Sequence, residues 1–220
     1  MKFSKLGIIA VLSVICVYIR AISFTPFDAL QGPAQKILYV HAPSAWVGLY
    51  LAFGLVFSTS VLYLWLKYPK LDRVASSAAE IGFVFTSVVL VTGPLWAKPV
   101  WGAYWTWDAR LTLTLFLWFI YAGYMILRGA IDDFEMRARF SAVLGILGAL
   151  LVPFIHLSVY FFRTMHPMPV LLKPSAPSMP REMLITLVAS FFALTLLFIW
   201  LLRERYLLAV DRDRAMEANS

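Results

Sequence analysis

The sequence predicts an all-α polytopic membrane protein: six transmembrane helices in one bundle, with cytoplasmic N- and C-termini and functional loops on the external face. Three observations carry this. Of the 220 residues, 61% are hydrophobic and only 14% charged, whereas a soluble domain carries about a quarter charged; the mean hydropathy is +0.79. Six apolar runs reach the length, about 20 residues, at which an α-helix crosses a hydrocarbon core of ~30 Å. Lysine and arginine, finally, divide unevenly between alternate loops.

The first run, Leu6–Phe24, follows Met1-Lys2-Phe3-Ser4-Lys5 and begins like a signal peptide. Its apolar stretch is interrupted only by Arg20, and no small-x-small cleavage site follows, so it reads as a retained first helix. The second, Leu38–Leu66, is long enough to tilt or to project its first turns beyond the membrane. The remaining runs are Ala78–Leu95, Leu111–Leu127, Phe140–Phe162 and Glu182–Leu202. Residues 1–203 form one membrane domain, and 204–220 a charged cytoplasmic tail expected to fray.

Loop charges set the orientation. Lys2, Lys5, Lys67, Lys70, Arg73, Arg128, Arg137, Arg139, Arg203, Arg205, Arg212 and Arg214 fall on the N-terminal side; Arg20, Lys36, Lys98, Arg110, Arg163, Lys173 and Arg181 fall opposite. Twelve against seven puts both termini inside by the positive-inside rule. The same rule accounts for the net charge of +7, so nucleic acid is not the expected partner and the lipid bilayer is. Cys16 stands alone and fits no disulfide or metal spacing. No Walker-type loop occurs, so the chain does not hydrolyse nucleotide through a P-loop.

The segments predicted to be external are rich in proline: Pro26, Pro33, Pro94, Pro99, Pro167, Pro169, Pro174, Pro177 and Pro180. Proline fixes φ and removes a donor, so these segments should bend rather than continue the helices. Among them, Trp96 to Thr112 holds Trp96, Trp101, Trp105 and Trp107, half of the eight tryptophans. Four indoles at a membrane edge require a flat partner, which is lipid headgroups, neighbouring helices or a planar ligand. An interfacial belt spreads over many helices and does not need Gly102, Asp108 and Arg110 in the same loop, so a ligand platform is the stronger reading. Porphyrin is such a plate. Lys98, Arg110, Arg163 and Lys173 are available for its propionates by charge-assisted bonds, and Asp108 can pair with Arg110 or accept from indole and backbone N–H groups.

Histidine supplies the candidate ligands. His41 opens the second span and His166 follows the fifth, both at the predicted external face; two neutral imidazoles at one depth can bind haem iron from opposite sides. Interfacial histidines bonded to backbone or water are the plainer account. His156 lies within the fifth span, three residues after Pro153, where a carbonyl freed by the proline would satisfy it.

The pattern Trp101-Gly102-x-x-Trp105-x-Trp107-Asp108 resembles the signature of the haem-handling proteins of cytochrome c assembly. Its continuation Ala109-Arg110-Leu111-Thr112 is similar to the haem exporter protein C (CcmC) branch. A second block, Pro26-Phe27-Asp28-Ala29-Leu30-Gln31-Gly32 followed by His41-Ala42-Pro43-Ser44-Ala45-Trp46, resembles that family's first external loop. The resemblance covers nearly the whole chain. It implies a haem-binding, haem-delivery subunit of an ABC-type complex in the bacterial inner membrane, not an enzyme in the ordinary sense. Haem b (iron protoporphyrin IX) would be held at the periplasmic side and delivered to a membrane-tethered haem chaperone. Partners would include ATP-binding and permease subunits and a small accessory membrane subunit.

Carried over residue by residue, the resemblance assigns His41 and His166 as axial ligands. It assigns Trp96, Trp101, Gly102, Trp105, Trp107 and Asp108 to the haem platform, with Lys98, Arg110 and Arg163 in support. Two positions depart from the family's usual pattern: Phe161-Phe162 stand where paired tryptophans are common, and Pro167 where glutamine is. Pro167 biases His166 away from the α region. His156 is the nearest substitute ligand, with Met165 or Met168 behind it. The alternatives to this reading are a haem b-containing redox anchor, which would place histidines within the bilayer, and a cofactor-free permease subunit. The permease would need a polar path, and Arg20 and Glu80 are read as paired or snorkelling boundary residues.

Overall fold

The computed structural model describes residues 4–167 and 178–218; Met168 and Lys173 lie outside them. Helix α1, Lys5–Ser23, starts where the Ser4 hydroxyl accepts the Gly7 N–H at 3.2 Å, as an N-cap should. A 3-10 turn, Pro33–Ile37, leads into α2, Leu38–Ala45, a π-helical stretch, Trp46–Ala52, and α3, Phe53–Leu66. Then come α4, Pro69–Trp101; α5, Ala109–Ala130; α6, Phe134–Ala149; α7, Leu151–Phe161; and α8, Arg181–Glu217. Six helical segments are long and apolar enough to cross a membrane: Lys5–Ser23, Pro33–Leu66, Pro69–Trp101, Ala109–Ala130, Phe134–Phe161 and Arg181–Ala215. The protein is an all-α polytopic membrane protein, with no strand among the described residues.

Helix α4 is the centre of the bundle, packing on α2, the π stretch, α3, α5 and α8, while α1 packs chiefly on α8. The largest buried cluster joins Leu49, Phe53, Val56, Ala78, Leu117, Tyr121 and Ile155 from the π stretch, α3, α4, α5 and α7. The π stretch begins three residues after Pro43, which has no N–H and interrupts the α ladder. The Tyr121 hydroxyl donates to the Gly48 carbonyl inside that stretch at 2.7 Å. Its ring lies so close to Gly82 that a Cβ there would stand 2.4 Å from Cζ.

Several ends differ from the sequence reading. Helix α4 runs through Pro94 and Pro99 as far as Trp101 instead of bending ahead of them. Each proline removes one ladder bond, and packing of this turn around an apolar cavity outweighs that loss. The fifth span breaks at Leu150, because the Pro153 ring displaces the carbonyl of Ala149. The tail does not fray at Arg203: α8 continues to Glu217, tied by Arg73–Asp213 at 2.6 Å and by a contact between Arg205 and Glu80.

Ionic contacts cluster at the end of the bundle away from the Trp-rich loop. Arg128 forks onto the buried Asp72 carboxylate at 2.6 and 2.8 Å, joining α5 to the first turn of α4. Near the Trp-loop end, Arg20 pairs with Glu182 at 3.0 Å and donates to Thr186 at 3.1 Å, joining α1 to α8. Arg20 and Glu80 are thus both paired, each to α8.

Candidate haem site

Three connecting segments meet at the Trp-loop end. In the first, Asp28 Oδ1 accepts the N–H groups of Leu30 and Gln31 at 2.9 and 2.8 Å. That turn presents Gln31 Oε1 to the Trp96 indole N–H, 2.9 Å away. In the second, α4 ends at Gly102, whose φ of 80° is a left-handed cap that a side chain would strain. Lys98 donates to the Gly102 carbonyl at 2.9 Å and lies over the Tyr104 ring. In the third, the chain leaves α7 at Phe162 and reaches His166 in irregular backbone.

Between these segments lies a cavity of about 350 Å³ lined by elements from α2 to α8. His41, His156 and His166 all line it, with Trp46, Trp96, Trp101, Trp105, Tyr50, Met165 and Arg110. His41 is thereby brought to one space with two histidines more than a hundred residues further along the chain. Trp107, Gly102, Asp108, Lys98 and Arg163 are not among its lining residues. Trp107 is 76% exposed and meets Trp105 edge-on, with centroids 5.7 Å apart.

The hydrogen bonds assign the tautomers of two histidines. Thr92 Oγ1 donates its one proton to the Val88 carbonyl at 2.7 Å, so its 2.9 Å contact with His41 Nδ1 requires the imidazole to donate. His166 Nδ1 lies 3.0 Å from the Pro167 carbonyl, which can only accept. Both rings therefore carry the proton on Nδ1 and leave Nε2 bare, the arrangement in which an imidazole binds a metal. His41 also stands edge-on to Trp96, and a Cβ on Gly93 would come within 3.2 Å of its Cε1. His156 differs: its Nδ1 pairs with the Tyr50 hydroxyl at 2.8 Å, where either group can donate. Its partner is thus a phenol from the π stretch, in place of the carbonyl expected near Pro153.

Electrostatics keep His166 neutral. Burial, and then the Arg110 guanidinium, push its pKa down to about 4, against the smaller opposing pull of the Pro167 carbonyl and the Asp108 carboxylate. Two cavity-lining donors are buried without a hydrogen-bond partner: Arg110 Nη1 and Trp105 Nε1. Unpaired buried donors are uncommon, and a guanidinium lining a largely apolar cavity suits an anionic group on an otherwise apolar ligand.

Of the partners open to Asp108, which are Arg110, indole and backbone N–H groups, the structure shows the backbone: Oδ1 caps α5 at the Leu111 N–H, 3.0 Å away. Its Oδ2 accepts from the Thr164 hydroxyl at 2.9 Å. Thr92, Tyr50 and Thr164 are residues that sequence reasoning missed, and Gln31 stands in the first-loop block without a role assigned to it. Of the three, Thr164 alone carried a local signal, lying two residues before a candidate ligand in a loop where hydroxyls bond nearby backbone.

The model of the family described as Heme exporter protein C matches residues 2–219. Heme exporter protein C of Bradyrhizobium diazoefficiens is 39% identical over 179 residues, 81% of this chain and 68% of that protein. Its counterpart in Haemophilus influenzae is 36% identical over 195 residues, 88% and 78% of the two chains. A putative cytochrome c biosynthesis ccmC-like mitochondrial protein of Marchantia polymorpha is 38% identical over 190 residues, 85% and 79% of the two. A six-span bundle with three histidines around one cavity, matched along nearly its whole length, belongs to the Heme exporter protein C family.

Proposed function

We propose that this chain binds haem b at the Trp-loop end, with His41 and His166 as axial ligands, and delivers it to a membrane-tethered haem chaperone during cytochrome c biogenesis. One observation carries the reading: two imidazoles from separate elements line one cavity, and both hold their proton on Nδ1. Haem, when bound, supplies iron for two nitrogen ligands and two propionates for basic partners. Thr92 and the Pro167 carbonyl keep the imidazoles in the ligating tautomer. Trp96, Trp101 and Trp105 offer ring surface at little entropic cost. Arg110, rather than Lys98 or Arg163, is the propionate partner, because its Nη1 is buried and unpaired beside the cavity.

The site faces the periplasm in this reading, with both termini cytoplasmic, on the strength of the twelve-to-seven division of Lys and Arg. Release of bound haem, rather than bond chemistry on a side chain, is the subunit's task. ATP hydrolysis comes from partner subunits of an ABC-type complex, which also holds a permease and a small accessory membrane subunit.

The test is the absorption spectrum of the detergent-purified protein, oxidised and reduced, beside His41→Ala and His166→Ala. The expected result is low-spin bis-imidazole haem in the wild type, lost or turned high-spin in each variant. A wild type that stays free of haem after supplementation would refute the reading, and an unchanged His166→Ala spectrum would move the second ligand to His156.

A further inference from the structure

We propose that Thr164 is the positioning residue of His166, acting through Asp108 so that the second ligand and the Trp-rich loop move as one body; the inference rests on the haem-ligand reading above. Residues 162–167 have no regular backbone pattern to hold them, yet an axial ligand must be fixed within a fraction of an ångström. The Thr164 hydroxyl does this from both sides. It donates to Asp108 Oδ2 at 2.9 Å and accepts the backbone N–H of His166 at 3.1 Å.

The other end of the tether is rigid. Asp108 Oδ1 accepts the Leu111 N–H at 3.0 Å, and the Asp108 carbonyl accepts from Thr112 at 3.0 Å. The carboxylate is thereby built into the first turn of α5, which also carries Arg110. Among the described residues, no other hydrogen bond joins the segment 162–167 to the Trp-rich loop. The acidic residue of the tryptophan motif therefore acts on the ligand loop through Thr164 and does not line the cavity itself.

A hydroxyl is required and the methyl is not, which makes the idea separable from packing. Thr164→Val keeps shape and removes both bonds; Thr164→Ser keeps both bonds and removes a methyl group. Full-length proteins in detergent, loaded with haem, are compared by spin state and by the rate of haem loss to apomyoglobin. Thr164→Val should raise the high-spin fraction and speed haem loss about tenfold, as expected for a bond to a charged acceptor. Thr164→Ser should stay within about threefold of the wild type. Added imidazole should restore the low-spin spectrum of Thr164→Val, as it should for His166→Ala, because only the protein ligand is displaced.

A wild-type spectrum and off-rate in Thr164→Val, alongside a high-spin His166→Ala, would overturn the tether and leave the ligand pair standing. A low-spin His166→Ala would overturn the ligand reading and the tether with it. Should Thr164→Val fail to assemble, Asp108→Ala gives the same decision. It removes both carboxylate oxygens and leaves nothing to bond Thr164 in either direction, so an imidazole-reversible rise in high-spin haem is required, and its absence would refute the tether.

Discussion

At the scale of single residues, His41 and His156 are governed by neighbours that the sequence did not advertise, Thr92 and Tyr50. Histidine, tryptophan and Asp108 were legible because their types are rare in apolar surroundings and their spacing forms a pattern. Thr92 was not, since a threonine in a membrane helix ordinarily bonds back to its own helix, and this one does so as well. Its second contact, to His41, depends on which helix packs opposite. The depressed pKa of His166 has a direct consequence. With a folded value of about 4 and an unfolded one of about 6.5, the unfolded chain binds the extra proton between them. The contribution of neutral His166 is therefore complete above about pH 6.5 and falls as the pH drops towards 4. An NMR titration of the apoprotein in a His41→Gln, His156→Gln background should place the His166 midpoint below 5; a midpoint near 6.5 would mean a solvated ring.

At the scale of elements, hydrophobic runs located all six spans but misplaced their ends for identifiable reasons. The polar first turns of α4, from Pro69 to Ser77, looked like loop, yet Asp72 is buried there against Arg128. Pro94 and Pro99 looked like stops, yet α4 passes through both. Of the π stretch only Pro43 shows in the sequence; its register also reflects the packing of Tyr121 and Thr86 against Gly48, which no local pattern reveals. Close packing here makes a sharp prediction. Gly82→Ala would place a methyl group 2.4 Å from the Tyr121 ring and should destabilise the fold by about 1–3 kcal/mol. Thermal melts in detergent should show it, with a smaller loss for Gly82→Ala combined with Tyr121→Leu, which removes the hydroxyl and the ring together.

At the scale of the whole molecule, the two ends of the bundle are built differently. The Trp-loop end carries a cavity and irregular backbone. The opposite end is held by Asp72–Arg128 and Arg73–Asp213. Removing one partner from a buried pair costs about 3–5 kcal/mol, more than removing both. Arg128→Ala should therefore lower stability in detergent more than the double variant Asp72→Ala, Arg128→Ala, while haem added to whatever remains folded keeps its wild-type spectrum. Equal losses in the single and double variants would show that the buried carboxylate finds water.

The pairing of α1 with α8 also dictates an order of events during synthesis. Helix α1 finds its principal partner only when α8 emerges, roughly 160 residues later and, at about 5–20 residues per second, on the order of 8–30 s afterwards. Throughout that interval Arg20 has neither Glu182 nor Thr186 to bond. The nascent α1 must wait with its guanidinium turned towards the headgroups, and the ribosome delivers the closing staple of the bundle last.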